Sequence, residues 1–328
     1  MKELAKLVAL IVATTWMAMG LWGCDRNEQK GEGDALVVVA TTTMLEDLVA
    51  TLGGDEIEVQ GLLSTGADPH IYQPRPSDAR LVSQSDAVVM NGLLLEGWME
   101  GLVRHAGGER AIIVAGDAVD QDRLLRVEGA VDPHIWFDVA MWRQVAEHVS
   151  EGLIELAGSD QELAASIAQR HRHYDQVLAE LHEWTQSQLN SIPDDRRVLI
   201  TSHDAFNYFG QAYHIDVEAI LGLSTEQEAS QRDVANIIEL VRARNAPAVF
   251  MESSVHPGLI QQVARETGIE AAGPLYSDSV GPVGSGAETY VGMVQANIQM
   301  ITEALGGDYQ AFDDRADLEE DKSEEEEV

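Results

Sequence analysis

Positive charge is scarce in this sequence. Its 328 residues include 21 lysines and arginines against 56 aspartates and glutamates, which gives a formal net charge of −35. Lysine occurs only at Lys2, Lys6, Lys30 and Lys322. Because nucleic acids and anionic membrane surfaces are bound through basic patches, this composition excludes both as partners. An acid-rich, lysine-poor surface is typical of proteins that work in high salt, or of a genome that favours arginine and acids.

Cysteine is almost absent as well, and Cys24 is the only one. A lone cysteine excludes an internal disulfide. It follows an apolar run at 7–22 that is shorter than the roughly 20 residues of a spanning helix and has the charged start of an export signal. The ending Leu-Trp-Gly-Cys is similar to a bacterial lipobox. We expect a signal peptide at 1–23, lipid attachment at Cys24 and a flexible tether at 24–34; an uncleaved helix or a free thiol is the alternative.

Two histidines lie in copies of one short motif. Residues 68–72 read Asp-Pro-His-Ile-Tyr, and residues 132–136 read Asp-Pro-His-Ile-Trp. Proline fixes its own φ and keeps the preceding aspartate extended, so His70 and His134 should lie on stiff loops. Neutral imidazole is the commonest protein ligand for transition metals, and a neighbouring acceptor can fix its tautomer. The repeat predicts half of a metal site; the alternative is two ordinary loop histidines beside helix-capping aspartates.

Short apolar runs alternate with helical patterns along the chain. The runs that predict buried strands are 35–40, 57–63, 87–91, 111–114, 198–201, 217–220, 248–251 and 270–272. The helical patterns run from a cap at 41–43 to about 52, over 77–81, 95–105, 140–157 and 160–190, from about 205, and over 231–244, 257–267 and 289–305. Such alternation predicts an α/β fold.

The pattern at 160–190 is unusually long and contains neither glycine nor proline. A single helix of that length would reach about 45 Å, so it should join two parts of the chain. We therefore predict two α/β lobes, 35–158 and 192–308, each with a mostly parallel sheet, joined by one long rigid helix at 159–191. Ligands of such folds bind at the strand ends, here in the cleft between the lobes. The acidic segment 309–328 predicts a disordered tail.

Two further side chains are candidates in the second lobe. His203 lies just after a predicted strand, and Asp278 starts a glycine-rich loop. Taken alone, each is as well explained by a helix cap or an Asx-turn. Their distances along the sequence from His70 and His134 do not show that the four side chains lie close together in space. Only the fold can bring them together.

Further motifs accompany these residues. They are Asp-Pro-His-x-Tyr-x-Pro-x-Pro-x-Asp at 68–78, Asn-Gly-Leu at 91–93 with Glu96, Thr-Ser-His-Asp-Ala-Phe at 201–206, Ser-Thr-Glu at 224–226 with Glu228, Phe-Met-Glu-Ser-Ser at 250–254, Ser-Asp at 277–278 and Thr-Tyr at 289–290. With them, the chain from about 36 to 305 resembles the zinc/manganese solute-binding lipoproteins of bacterial metal ABC transporters. The resemblance implies that four side chains close around one divalent metal between the lobes: His70, His134, His203 and Asp278.

The ligand types favour zinc, with manganese next, because three imidazoles and one carboxylate form a shell of borderline softness. The sequence departs from the family pattern in two places. Val139 follows Asp138 where the family commonly has proline, and no histidine-rich loop lies between 97 and 130, although many zinc-specific members carry one. Glu252 is expected either to support a ligand or to cap a helix. The other seven histidines are expected not to bind metal.

The resemblance also implies a function. It describes a monomeric, lipid-anchored protein in the periplasm or at the cell surface that captures a metal and delivers it to an ABC transporter permease, and it is not an enzyme. One alternative is a zinc-dependent hydrolase, since three histidines and an exchangeable position are a catalytic arrangement. The sequence has no His-Glu-x-x-His motif, however, and a fourth protein ligand closes the site to water. A surface lipoprotein of the adhesin type, active in cell adhesion, is the other alternative, and no residue supports it separately.

Overall fold

The computed structural model describes residues 35–313. The predicted signal peptide, Cys24 and the tether lie outside the described residues, as do residues 314–328. From Leu36 onward, the described part of the chain forms one compact unit. In this part, no helix is both long enough and apolar enough to cross a bilayer.

A parallel sheet of four strands organises the N-terminal half. Its strands are β1 (Leu36–Ala40), β2 (Ile57–Gly61), β3 (Ala87–Met90) and β4 (Ala111–Val114), in the order β2-β1-β3-β4. The last three residues of β1 are fully buried, because a strand covered by helices on both faces has no solvent side. The helices of this half are α1 (Thr43–Gly53), α2 (Pro76–Gln84) and α3 (Met99–Ala106).

The middle of the chain contains a short hairpin and two packed helices. The elements are β5 (Arg126–Val127), β6 (Ala130–Val131), α4 (Val139–Ala157) and α5 (Gln161–Asn190). The side chain of Asp138 accepts the amides of Ala140 and Met141 at the start of α4, so the valine at 139 leaves this cap intact. Asp160 caps α5 in the same way. Helix α5 runs without interruption for 30 residues, as the sequence predicts.

The C-terminal half repeats the pattern of parallel strands and helices. Its elements are β7 (Val198–Thr201), α6 (Asn207–Tyr213), β8 (Asp216–Ala219), α7 (Gln231–Arg244), β9 (Ala248–Glu252), α8 (Gly258–Thr267), β10 (Glu270–Leu275) and α9 (Tyr290–Ala304). Strand β7 pairs in parallel with β8, and β9 pairs in parallel with β10. Since β7 also lies beside β9, the neighbours run β8-β7-β9-β10.

The predicted α/β architecture is confirmed. Along the chain, parallel strands both precede and follow one long helix. A single cluster of buried apolar side chains extends from Val38 to Leu305 and includes residues of α4 and α5. The hydrophobic contacts are therefore continuous through the body. The lobe boundaries at 158 and 192 stay a prediction.

Two local predictions need correction, and one element was missed. The helix expected at 95–105 begins at Met99; residues 93–98 form turns instead, and Leu93 and Leu94 among them adopt left-handed backbone conformations, with φ of 52° and 68°. The hairpin of β5 and β6 was not predicted, since two-residue strands carry no periodic signal. Helix α2 spans Pro76–Gln84 rather than the predicted 77–81, and proline is favoured at a first helical position.

The prediction places the start of the disordered tail too early, at residue 309. The rings of Tyr309 and Phe312 contact Trp184 of α5, and the Trp184 indole N–H donates to the carbonyl of Gln310 at 2.9 Å. Two aromatic side chains and a hydrogen bond place 309–312 on the folded body. The rest of the predicted tail falls almost entirely beyond the described residues.

Candidate metal centre

Four side chains converge on one point in the interior. His70 follows β2, His134 follows the hairpin, His203 follows β7 and Asp278 follows β10. One ligand atom from each lies within 4.8 Å of every other, and this is the single such cluster among the described residues. His134 and His203 are fully buried, Asp278 is 1% exposed and His70 is half-buried. The structure therefore brings together all four residues that the resemblance implied, and none of the other seven histidines.

The repeated motif builds the same turn twice. The Asp68 carboxylate accepts the amide of His70 at 2.8 Å, and the Asp132 carboxylate accepts the amide of His134 at 3.0 Å. Proline between each pair keeps the aspartate extended, so that its side chain reaches the amide two residues on. These aspartates thus stabilise the histidine loops themselves.

Two of the imidazoles also contact a carboxylate through their Nδ1 atoms. His134 Nδ1 lies 2.7 Å from Asp132 Oδ1, and His203 Nδ1 lies 2.5 Å from Glu252 Oε2. The other oxygen of Glu252 accepts the amides of Ser202 and His203 at 2.7 and 2.9 Å. A carboxylate at Nδ1 favours a proton on that nitrogen, so Nε2 is the ring nitrogen that faces the site and is available to a metal once it carries no proton. Of the two expectations for Glu252, the geometry favours contact with the candidate ligand His203 over a helix cap.

The inward-facing atoms lie close enough together to surround one small cation. His70 Nε2 lies 3.3 Å from His134 Nε2, and Asp278 Oδ1 lies 3.5 Å from His203 Nε2 and 3.9 Å from His134 Nε2. Four tetrahedral ligands at zinc bond lengths lie about 3.3 Å apart. Asp278 Oδ1 and His203 Nε2 are buried without a hydrogen-bond partner in the described structure. Buried polar atoms are ordinarily satisfied, so this donor set fits a bound metal ion.

The charges of the site complement a cation. Burial lowers the pKa of His70 to about 4, so this imidazole is neutral near pH 7. For His203, burial opposes protonation, but Glu252 and Asp278 together outweigh it and raise the pKa well above its usual value. For Asp278, burial favours the neutral acid, but His203 and the other two imidazoles outweigh it and hold the pKa below its usual range. A metal ion that binds at His203 displaces a proton, and the carboxylate stays charged to receive it.

Contacts between distant segments hold the first histidine loop. The indole N–H of Trp98 donates to the carbonyl of Pro69 at 2.9 Å. The Thr225 hydroxyl donates to Asp68 Oδ2, and the amide of Gly66 donates to the Ser279 hydroxyl at 2.7 Å. The loop that carries His70 is therefore tied to segments from the other half of the chain.

A buried glutamate organises the segment behind the second histidine loop. Glu96 accepts the Thr41 hydroxyl at 2.5 Å and the amides of Asn91 and Gly92 at 2.8 and 3.0 Å. The Asn91 amide group donates to the carbonyl of Pro133 at 3.0 Å. Burial raises the pKa of Glu96. The motif at 91–96 thus supports the loop of His134 without touching the site.

Sequence reasoning missed several supporting residues. Asn207 donates to Asp132 Oδ2 at 3.0 Å, the Tyr208 hydroxyl donates to the Asp132 carbonyl at 3.0 Å, and the Ser254 hydroxyl donates to Asp278 Oδ2 at 2.8 Å. Each lies in or beside a motif that was noted. Serine, asparagine and tyrosine are common in loops, however, so their residue type carried no signal of a role.

The chain is similar to known metal-binding proteins. The family model for the periplasmic zinc-uptake complex component A, ZnuA, matches residues 38–304. The manganese-binding lipoprotein MntA of Bacillus subtilis is 33% identical over 304 residues, covering 90% of this chain and 98% of its own. The zinc-binding protein TroA of Treponema pallidum is 34% identical over 276 residues, covering 82% and 88%.

Solved structures show the same fold. The structure of the periplasmic zinc-binding protein TroA from Treponema pallidum superposes with a TM-score of 0.79 at 32% identity, over 83% of this chain and 99% of that one. Fe(III)-bound YtgA from Chlamydia trachomatis gives a TM-score of 0.76 at 27% identity, over 85% and 100%. The resemblance seen in the sequence is confirmed, and the chain belongs to the ZnuA family of metal-binding, ABC-transporter substrate-binding proteins.

Proposed function

We propose that this protein captures one divalent transition-metal ion outside the cytoplasm and delivers it to the permease of an ABC transporter. The observation that carries the proposal is the convergence of four ligand atoms, three of them from buried residues: His70, His134, His203 and Asp278. The names of the relatives support the role as a carrier. The metal is the cargo of this protein.

Zinc is the proposed metal, with manganese second. Three imidazole nitrogens and one carboxylate oxygen hold zinc more tightly than manganese in the order of divalent-metal affinities. The relatives do not decide between the two, since MntA is named for manganese and TroA for zinc. The ligand chemistry of this chain is therefore the basis of the choice.

The proposal does not include catalysis. A catalytic zinc site keeps a coordination position for water or substrate. Here Asp278 supplies a fourth protein ligand atom beside the three imidazoles, and it is 1% exposed. A shell that the protein fills by itself suits capture and carriage rather than hydrolysis.

We propose that the mature protein is a monomer anchored at Cys24 to the outside of the cytoplasmic membrane, in the periplasm or at the cell surface. Several relatives are named lipoproteins, among them MntA of Bacillus subtilis and PsaA of Streptococcus pneumoniae. The two proposed lobes, 35–158 and 192–308, would hold the metal between them, with the helix at 159–191 as the rigid connection.

The metal should enter and leave at His70, the one ligand with appreciable exposure. An open depression of about 790 Å³ lies over it, lined by His70, Ile71, Leu94, Trp98 and Glu226, among others. The side chains of Ile71 and Leu94 are 53% and 88% exposed, which is unusual for large apolar residues. Since cargo has to pass this opening, we propose that it faces the permease.

A competitive titration of zinc against manganese on metal-stripped protein tests the function. We expect one ion per chain and tighter binding of zinc. His134→Ala removes a buried ligand and should weaken zinc binding by more than about 100-fold, beyond the usual effect of losing a supporting contact. His173→Ala, at an exposed position of α5, is the matched control and should bind as the parent does. Equal affinity for manganese would overturn the metal assignment, and full binding by His134→Ala would overturn the site.

A further inference from the structure

The two oxygens of Asp278 have different surroundings. Oδ1 faces the Nε2 atoms of His203 and His134, at 3.5 and 3.9 Å. Oδ2 accepts the hydroxyl of Ser254 at 2.8 Å, and that hydroxyl oxygen lies 2.9 Å from the Ser277 hydroxyl. A hydroxyl between two acceptors donates preferentially to the charged one, so Ser254 donates to Asp278 and Ser277 can donate to Ser254.

This hydrogen bond restricts how the carboxylate can bind a metal. A carboxylate that uses both oxygens must turn until both lie at similar distances from the ion. Turning Asp278 in this way would pull Oδ2 away from Ser254 and cost this half-buried hydroxyl its hydrogen bond to a charged acceptor, which is stronger than a neutral one. The Ser254 contact therefore favours coordination through Oδ1 alone.

The number of donor atoms follows from this restriction. Each of the three imidazoles supplies one nitrogen, and two of them have Nδ1 occupied by Asp132 and Glu252. Within this ligand set, Asp278 Oδ2 is the remaining oxygen that could become a fifth donor. Four donors in a tetrahedron are what zinc prefers, whereas manganese is typical of octahedral, oxygen-rich sites.

We propose that Ser254 holds Asp278 in one-oxygen coordination and thereby sets the preference of this site for zinc over manganese. Ser254 does not contact the metal; it is a positioning residue that acts through Asp278. The inference rests on the proposed function, because it specifies which metal the same site selects. It also gives a role to the second serine of the motif Phe-Met-Glu-Ser-Ser at 250–254.

Three variants test the inference. Ser254→Ala removes the donor and frees Oδ2, Ser254→Thr keeps a hydroxyl, and Ser253→Ala makes the same change at the adjacent half-buried serine, whose hydroxyl has no partner in the described structure. The zinc-to-manganese affinity ratio is measured by competitive titration on metal-stripped protein. We expect Ser254→Ala to lower this ratio about tenfold relative to the parent protein. Ser254→Thr and Ser253→Ala should both keep the ratio of the parent.

The visible spectrum of bound Co²⁺ reports coordination number directly. A tetrahedral site has no centre of inversion, so its Co²⁺ bands are intense, and added ligands weaken them. We expect intense bands in the parent protein and in Ser254→Thr, and weaker bands in Ser254→Ala. Should Ser254→Ala fail to fold, the parent spectrum still decides, because weak bands there would overturn the four-donor premise.

The remaining outcomes separate the inference from the function. If the parent binds zinc preferentially but Ser254→Ala keeps both the ratio and the spectrum, the inference is wrong and the proposed function stands. An equal loss of affinity for both metals with an unchanged spectrum would show a merely structural role and also overturn it. If the parent binds neither metal at one ion per chain, the proposed function itself fails.

Discussion

Several buried carboxylates of this protein accept backbone amides. Glu96, Glu252 and Asp132 each take at least one amide N–H, and none is more than 3% exposed. Hydrogen bonds to a charged acceptor are stronger than neutral ones, which offsets part of the cost of burying the charge. At the scale of residues, this explains how an acid-rich, lysine-poor chain places carboxylates inside.

Asp47 offers a test of such a group by pH. It lies on α1, and its carboxylate accepts the amide of Tyr290 at the start of α9, at 2.8 Å. Burial raises its pKa to about 6. Because the folded-state pKa lies above the unfolded value of about 3.9, ionisation of Asp47 lowers the free energy of unfolding as pH rises from about 4 to about 6, and the loss persists above that range.

Asp47→Asn removes this ionisation while its amide oxygen can still accept the Tyr290 amide. We expect the free energy of unfolding above pH 6 to increase by about 1–2 kcal/mol relative to the parent, and the difference to disappear below pH 4. Urea unfolding between pH 4 and pH 7.5 measures it. Asp55→Asn, at an exposed position, is the control. If the difference in the free energy of unfolding between variant and parent does not depend on pH, burial does not raise the pKa of Asp47.

At the scale of elements, α5 is the feature with the clearest mechanical consequence. It contains no glycine or proline, and Asp175 on it forms a two-contact ion pair with Arg143 of α4, at 2.7 and 2.8 Å. Sharp bends of helices require proline, a glycine pair or an inserted group. The continuous apolar cluster on both sides of the helix opposes bending as well.

We therefore expect only a small movement of the two halves when metal binds. The radius of gyration in solution scattering should be nearly equal for metal-stripped and metal-loaded protein. Gln176→Pro, at an exposed mid-helix position, should lower the free energy of unfolding by about 3 kcal/mol and enlarge the difference, whereas Gln176→Ala should do neither. A wide opening in the parent protein, as in binding proteins with loop hinges, would contradict this rigidity.

At the scale of the whole molecule, the opening over His70 combines exposed apolar side chains with unusual backbone. Leu93 and Leu94 both have positive φ, which costs roughly 1–2 kcal/mol for a residue with a Cβ. Gly92 before them also has positive φ, and a Cβ there would lie 2.4 Å from the Val114 side chain. Leu94 thus combines an unusual backbone conformation with an exposed apolar side chain beside the site.

Leu94→Asn separates docking from metal binding. Asparagine tolerates positive φ better than leucine, so the variant should be at least as stable as the parent. We expect unchanged zinc affinity but reduced metal uptake in cells that carry the transporter. Ile112→Thr, at a 41% exposed apolar position on edge strand β4, should not affect uptake. Normal uptake with Leu94→Asn would show that the permease binds elsewhere.

The sequence predicted those elements whose signals are local. Strands β4 and β7 and helix α7 have the bounds that apolar runs and caps indicated, at 111–114, 198–201 and 231–244. Helix α5 was also predicted nearly in full, because thirty residues without glycine or proline leave little choice. Misses occurred at the turn of Leu93 and Leu94 and at Tyr309 to Phe312, where distant packing overrides local preference.

The candidate site divides in the same way. The sequence by itself determined that His70 and His134 lie on stiff loops, because aspartate and proline act on the residues next to them. Its composition also predicts that nucleic acid is not a partner. Only the tertiary structure decided that His203 and Asp278 join them, that Glu252 stands behind His203 and that Ser254 holds one oxygen of Asp278. These residues are far apart along the chain and meet only when strands from both halves pack together. A local sequence pattern carries no information about such long-range contacts.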